Sequence, residues 1–249
     1  MSWEPEWLKP IVRGVKSIFD HAILPKLRES KRQLDQLHNL ERVAEEVATR
    51  KGRGIIRCNQ NPLEIKALVN LLASKRLQTI VEIGTSKGGT LYLWTRLVQP
   101  GGLVISIDLP GEIGSVRPVH LSVYRTFGQE RNVEVQTLAL DSHAPETIDM
   151  LRQILGDRTV DFLFIDGDHS YAGVKSDFFD YLPLMSPRGI VGMHDIAVSD
   201  RVLHKDVDQF WAELEGPGLQ KQSFIAPRGF GIGVVELQPG IAGQIKLSA

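Results

Sequence analysis

QTIVEIGTSKGGTLYLWTRLV, residues 78–98, moves from a β-branched apolar run through a glycine-bearing polar loop straight into an apolar, helix-forming segment. A run that short and continuously apolar suits a strand buried on both faces. The loop then sits at a helix N-terminus, where backbone amides lack intrahelical acceptors and favour a carboxylate or phosphate. Gly84 and Gly88 are spaced G-x-x-x-G, with Thr85 and Ser86 between them. A dinucleotide-binding turn needs G-x-G-x-x-G to bring a pyrophosphate close, so the spacing argues against NAD. Taken alone, these glycines are equally compatible with a plain tight turn.

Working outward, four more apolar, β-rich runs follow at domain-like intervals: GLVISIDL (102–109), VEVQTLAL (133–140), VDFLFID (160–166) and GIVGMHD (189–195). Strands alternating with helical stretches predict an α/β, Rossmann-like, doubly wound parallel sheet covered on both faces. Glu82, Asp108, Asp166 and Asp195 stand near the carboxyl ends of their runs, and Asp141 follows the third. Ligands of open α/β sheets bind beyond those ends, so the five acids mark one edge as the candidate site. Asp108 lies about twenty residues past the glycine loop, where a carboxylate can accept from both hydroxyls of a ribose. QSFIAPRGFGIGVVEL (222–237) reads as a hairpin turning at Pro227, Arg228 and Gly229, which makes the last strand antiparallel.

The remainder bounds the answer. A chain of 249 residues with 42% apolar content can bury a sizeable core. The formal charge of −1 gives no basic field for nucleic acid or an anionic membrane. Cys58 is the sole cysteine, which fits a reducing cytoplasmic setting, and no secretory or membrane-spanning segment is evident. Residues 1–53 read as a charged helical extension whose apolar stripe includes Leu27, Leu34, Leu37, Val43 and Val47. Packing on the domain is the simpler reading of that stripe, and a lid or a homo-oligomer contact is the other. Residues 54–249 form the main domain, beginning around a helix with Pro62 in its first turn.

FIDGDHSY (164–171) places Asp166, Gly167, Asp168 and His169 at the end of a buried strand. Together with VEIGTSKGGT, SIDLPG, LALDSH, the stretch from FIDGDHSY to GIVGMHDI, and GFGIGVVEL, it resembles class I S-adenosylmethionine-dependent methyltransferases. The resemblance is to the cephalosporin hydroxylase-like and macrolide-sugar O-methyltransferase group, over roughly residues 54 to 237. It implies a seven-stranded sheet with an antiparallel last strand and a methyl transfer to a hydroxyl of a small molecule. It also implies that Glu82 and Gly84 hold the methionine amino group, the loop of Ser86 and Gly88 its carboxylate, Asp108 the ribose, and Asp141 with Ser142 the adenine edge. Asp166 then borders the amino group and ligates a divalent metal, nominally Mg²⁺, while His169 is the base.

Methyl transfer to a hydroxyl needs alignment and removal of a proton, tasks that a hard cation on carboxylates and a nearby imidazole can share. Where the macrolide-sugar enzymes carry two successive acids, this chain has His194 and Asp195. His194 is therefore either a ligand that tilts the site toward Mn²⁺ or Zn²⁺, or a hydrogen-bonded core histidine. Asp168 is expected to cap the helix starting at Ser170 or Tyr171. Phe178, Phe179, Tyr181 and Trp211 are expected in the core. Three other readings stand beside the methyltransferase. Asp166-Gly167-Asp168 spells the D-x-D of metal-dependent glycosyltransferases. His169, His194 and a carboxylate could make an iron hydroxylase site. A non-catalytic, cofactor-binding accessory subunit is the third.

Overall fold

The computed structural model describes residues 9–49, 55–110, 118–197, 206–216, 219–240 and 245–247, with side chains from residue 21 onward except Pro118. The parallel part of the sheet is built from β1 (Thr79–Ile83), β2 (Leu103–Asp108), β3 (Glu134–Ala139), β4 (Val160–Ile165) and β5 (Met185–His194). Two later strands complete it, β7 (Gln220–Phe224) and β8 (Ile232–Glu236), in the order β3-β2-β1-β4-β5-β8-β7. β8 is antiparallel to both neighbours, so β7 at the edge runs with the parallel set. The anticipated seven strands, hairpin and antiparallel final strand of the sheet are all present. Two-residue strands β6 (Leu214–Glu215) and β9 (Lys246–Leu247) pair separately.

Alternation along the strands feeds two cores. Ile80, Phe162 and Phe164 join one, while Val81, Ile83, Leu163 and Ile165 join the other. Side chains on successive strand residues point to opposite faces, and both faces are covered, which is why these runs read as continuously apolar. The first face is covered by α1 (Lys9–Asp35), α2 (Leu40–Ala48), α3 (Pro62–Ala73), α4 (Gly89–Leu97) and α5 (Pro118–Tyr124). The second carries α6 (Pro145–Leu155), α7 (Tyr171–Tyr181) and α8 (Val207–Glu213). Phe178 and Tyr181 are buried there, with Phe179 and Trp211 packed against the same core, as expected.

The N-terminal stripe lies inside the first core. Leu27, Leu34, Val43 and Val47 are at most 3% exposed and Leu37 packs against them. Burial of each such side chain contributes about 1.5–3 kcal/mol. The stripe is consumed within the chain, and the boundary drawn at 53/54 lies outside the described residues. Asn39 and Asn61 cap α2 and α3 by accepting from the amides of Arg42 and Leu63 at 2.9 Å each. Between these helices the chain crosses to the glycine loop. The Cys58 amide donates to Val47 at 2.8 Å, and Arg57 accepts from the Gly89 amide at 3.1 Å. Among the described residues no helix is long and apolar enough to cross a membrane.

Candidate active site

The turn after β1 is held open by backbone geometry that side chains resist. Gly84 has φ +90°, and a Cβ there would lie 2.0 Å from the Asp166 carbonyl oxygen, so this glycine lets the ends of β1 and β4 touch. Ser86 (φ +46°) and Gly88 (φ +74°) are also left-handed. Asp108 answers the loop's amides: its Oδ2 accepts from Thr85 at 3.0 Å and Ser86 at 2.7 Å. Burial raises the Asp108 pKa while these amide bonds oppose the rise. The anion at this loop is thus the chain's own carboxylate. Beneath the loop Glu82 is fully buried and accepts from Trp94 Nε1 at 2.8 Å. Desolvation pushes its pKa up to about 8.

Beyond the strand ends lies a cavity of about 840 Å³. Asp108, Asp141, Ser142 and His143 line one end, and Asp166, His169, His194 and Asp195 the other. Ile83, Ile107, Leu109 and Leu140 supply apolar surface between them. Size and chemistry both fit S-adenosylmethionine: an apolar slot suits a purine, and a wall of carboxylates suits a sulfonium and an ammonium.

At the β4–β5 end the charged groups hold one another. Asp195 follows β5 with φ +65°, a conformation that aspartate tolerates better than most residues. Its Oδ2 is 2.7 Å from His169 Nδ1 and its Oδ1 3.3 Å from His194 Nδ1. His194 Nδ1 is also 3.1 Å from Asp166 Oδ1, and Gln60 Nε2 donates to Asp166 Oδ2 at 2.7 Å. Burial opposes a charge on His194, but the two carboxylates prevail and raise its pKa. Asp168 Oδ1 accepts from the Ser170 amide at 2.9 Å, and Ser170 itself caps α7 by accepting from Gly173 at 3.0 Å. Asp168, expected to cap this helix, braces the turn before it instead, and Ser170 is the cap.

Of the residues anticipated from sequence, Gly84, Ser86, Asp108, Asp141, Ser142, Asp166, His169, His194 and Asp195 line the one cavity. Glu82 and Gly88 do not. Glu82 has no exposed surface, and Gly88 caps α4 where a Cβ would lie 2.6 Å from the Tyr124 ring. The expected metal set was Asp166, His194 and Asp195. Among the described residues, Asp166, His169 and Asp195 bring ligand atoms within 4.8 Å of one another. One imidazole and two carboxylates fit a divalent ion, with a transition metal favoured over Mg²⁺ by the nitrogen. His194 bridges the two acids through Nδ1, 3.1 Å from Asp166 and 3.3 Å from Asp195. Gln60 and the pair His143–Asp177, 3.2 Å apart, escaped the sequence reading. A histidine directly following Asp141 and Ser142 was the available signal for the pair; nothing in NQNP marked Gln60.

Residues 81–196 match the family model described as a methyltransferase domain, a span that runs from β1 to just past β5 and contains every site residue anticipated above. An uncharacterized protein of Sinorhizobium fredii, y4gI, is 30% identical over 151 residues, covering 58% of this chain. The chain spans 16% of that relative's length. Among solved structures, an O-methyltransferase from Bacillus cereus in complex with S-adenosylhomocysteine is 20% identical with a TM-score of 0.51, over 87% of this chain and 100% of that one. TomG, an O-methyltransferase from Streptomyces achromogenes involved in tomaymycin synthesis and solved with S-adenosylmethionine, is 17% identical with a TM-score of 0.52, over 82% and 91% of the two chains. Those two likenesses are of fold. With the strand order and the glycine turn, they show a class I methyltransferase-like fold around residues 81–196, the span that matches a methyltransferase domain.

Proposed function

We propose that the chain transfers a methyl group from S-adenosylmethionine to a hydroxyl of a small molecule, with His169 as the general base. The observation that carries this reading is the 2.7 Å contact between His169 Nδ1 and Asp195 Oδ2 at the mouth of a cavity sized for the cofactor. An ionised carboxylate only accepts, so Nδ1 bears the proton and Nε2 is the basic nitrogen. Asp195 orients the ring and stabilises the imidazolium formed when the acceptor hydroxyl loses its proton. Bound in the cavity, S-adenosylmethionine supplies a methyl carbon on a positive sulfur that departs as a neutral thioether. The hydroxyl oxygen gains the carbon, its proton passes to His169 Nε2, and the carboxylates of Asp108 and Asp166 hold the cationic cofactor in place. Should Asp166, His169 and Asp195 hold a divalent ion, a ring nitrogen of His169 would be its ligand, and the ion rather than the imidazole would lower the pKa of the hydroxyl.

Glu82 does not reach the cavity, so the acid beside the methionine amino group is Asp166. The acceptor is a hydroxylated small molecule of the sugar-bearing or polycyclic kind suggested by the resemblance to macrolide-sugar enzymes. Calorimetry with S-adenosylhomocysteine should give one site of micromolar or better affinity, and UDP-sugars and NADH should give no heat. Labelled methyl transfer to a panel of polyhydroxylated acceptors then tests the reaction. UDP-sugar binding in place of S-adenosylhomocysteine would favour the glycosyltransferase reading, and cofactor binding without turnover on any acceptor the accessory-subunit reading.

A further inference from the structure

Glu64 is a buried carboxylate that the reaction above does not use. It lies on α3 and is 1% exposed. Its Oε1 accepts from two backbone amides of the turn between β7 and β8, those of Ala226 at 2.9 Å and Gly231 at 3.1 Å. Inside that turn the Gly229 amide donates to the Ala226 carbonyl at 2.9 Å, and a Cβ on Gly229 would lie 1.9 Å from Glu64 Oε1. The same turn is tied to the segment after β5. The Ala197 amide donates to the Phe230 carbonyl at 2.8 Å and the Ile196 amide to that of Gly231 at 3.4 Å. Gly231 has φ +80°, and a Cβ there would fall 2.9 Å from Ala197 Cβ.

A hairpin turn in solvent has water for its amides, so burying a carboxyl group to hold one is a cost with a local purpose. What the two ties fix in place is Phe230. Its half-buried ring lines the cavity and stands 6.0 Å from the His194 ring at an interplanar angle of 74°. In the sheet order β8 lies beyond β5, on the far side of β4 from β1 and β2. Phe230 therefore enters the cavity on the side of His194 and Asp195, away from the glycine loop and Asp108. Leu63, next to Glu64, and Ile225, next to Ala226, are large apolar residues left exposed on either side of the tether in sequence. An aromatic ring with apolar residues around its mounting matches an apolar ring and offers no hydrogen bond to one that bears hydroxyls all round.

Resting on the methyl-transfer reading made above, we propose that Glu64 is a positioning residue for the β7–β8 turn, and that Phe230, held by it, is the wall on which the acceptor lays the apolar face of the ring carrying its hydroxyl. The acceptor class is thereby narrowed to hydroxylated aromatic or otherwise apolar rings.

The test is calorimetry of the full chain saturated with S-adenosylhomocysteine, with 2-naphthol as the apolar probe and myo-inositol as the polar one. Wild-type protein should bind 2-naphthol about tenfold or more tightly than myo-inositol. Phe230→Ala should weaken 2-naphthol by about threefold to tenfold, the worth of one aromatic pair. Glu64→Ala should do the same, and in the double variant it should add nothing to Phe230→Ala. Glu64→Gln keeps an oxygen that can accept from both amides, so its 2-naphthol affinity should stay within about twofold of wild type. S-adenosylhomocysteine affinity should be unchanged in every variant, whereas a general loss of structure would lower it. Unchanged 2-naphthol affinity in Phe230→Ala or in folded Glu64→Ala would overturn the proposal, as would myo-inositol binding as tightly as 2-naphthol. Should Glu64→Ala fail to fold, Phe230→Ala and Glu64→Gln still decide, because a Glu64→Gln protein that loses 2-naphthol contradicts the hydrogen-bonded tether. Wild-type protein that binds no S-adenosylhomocysteine would overturn the cofactor reading, and this inference with it.

Discussion

The two ends of the cavity use carboxylates in opposite ways. At the β1–β2 end, Asp108 grips two backbone amides of the glycine loop, so its partners are fixed by the fold. At the β4–β5 end, Asp166 and Asp195 meet the side chains of Gln60, His169 and His194. Backbone partners cannot leave without unfolding a turn, whereas side-chain partners can rotate away or exchange a proton. The first end is built to stay as it is and the second to change partners. On the proposed function both ends hold the cofactor, through Asp108 at the first and Asp166 at the second, and the second also carries the chemistry.

The largest expected effect breaks the comparison at its chemical end. His169→Ala should lower the methyl-transfer rate by roughly 10² to 10⁴, the usual contribution of a positioned base. Asp195→Asn should lose much of the same activity by releasing the ring. A rate in His169→Ala within a few-fold of wild type, measured with saturating cofactor, would move the base elsewhere.

Next in size is a pH effect beneath the fixed end. Burial lifts the folded-state pKa of Glu82 from 4.5 to about 8. Below the lower value both folded and unfolded chains carry the proton; between the two values only the folded chain does. Stability from this group is therefore present at low pH and falls as pH rises toward the folded value, by up to about 1.4 kcal/mol per unit, then levels off. Glu82→Gln cannot ionise and should flatten that part of the curve. Denaturant titrations of both proteins across this range would show it, and parallel curves would deny Glu82 the assigned role.

Two smaller effects sharpen the contrast. Asp108→Ala should destabilise the protein by about 1.5–3 kcal/mol, because its carboxylate holds two loop amides. Gln60→Ala should cost only about 0.5–1.5 kcal/mol, since Asp166 retains His194 as a partner. Thermal or denaturant unfolding measures both. A larger loss in Gln60→Ala than in Asp108→Ala would reverse the assignment of rigid and exchangeable ends.

Most of the fold was legible because two-sided burial writes itself into the strands as β-branched runs ending in acids. The hairpin after residue 220 was legible from Pro227 to Gly229 for the same local reasons. Side-chain direction was harder to read. Glu82 sits one residue before the loop, but strand alternation turns it into the core against Trp94. His169 and His194 are separated by a helix and a strand, so the approach of both to Asp166 and Asp195 depends on the turn at Ser170 and the left-handed backbone of Asp195. Gln60 and Asp177 reach the site from other elements, across distances that periodicity does not encode.

The division between an end that only binds and an end that also carries the chemistry is tested most directly by one calorimetric series: S-adenosylhomocysteine titrated into wild type, His169→Ala and Asp108→Ala. The account predicts one micromolar or tighter site in wild type, an indistinguishable affinity in His169→Ala, and a weakening of about tenfold to a hundredfold in folded Asp108→Ala. Full affinity in Asp108→Ala together with lost binding in His169→Ala would contradict it.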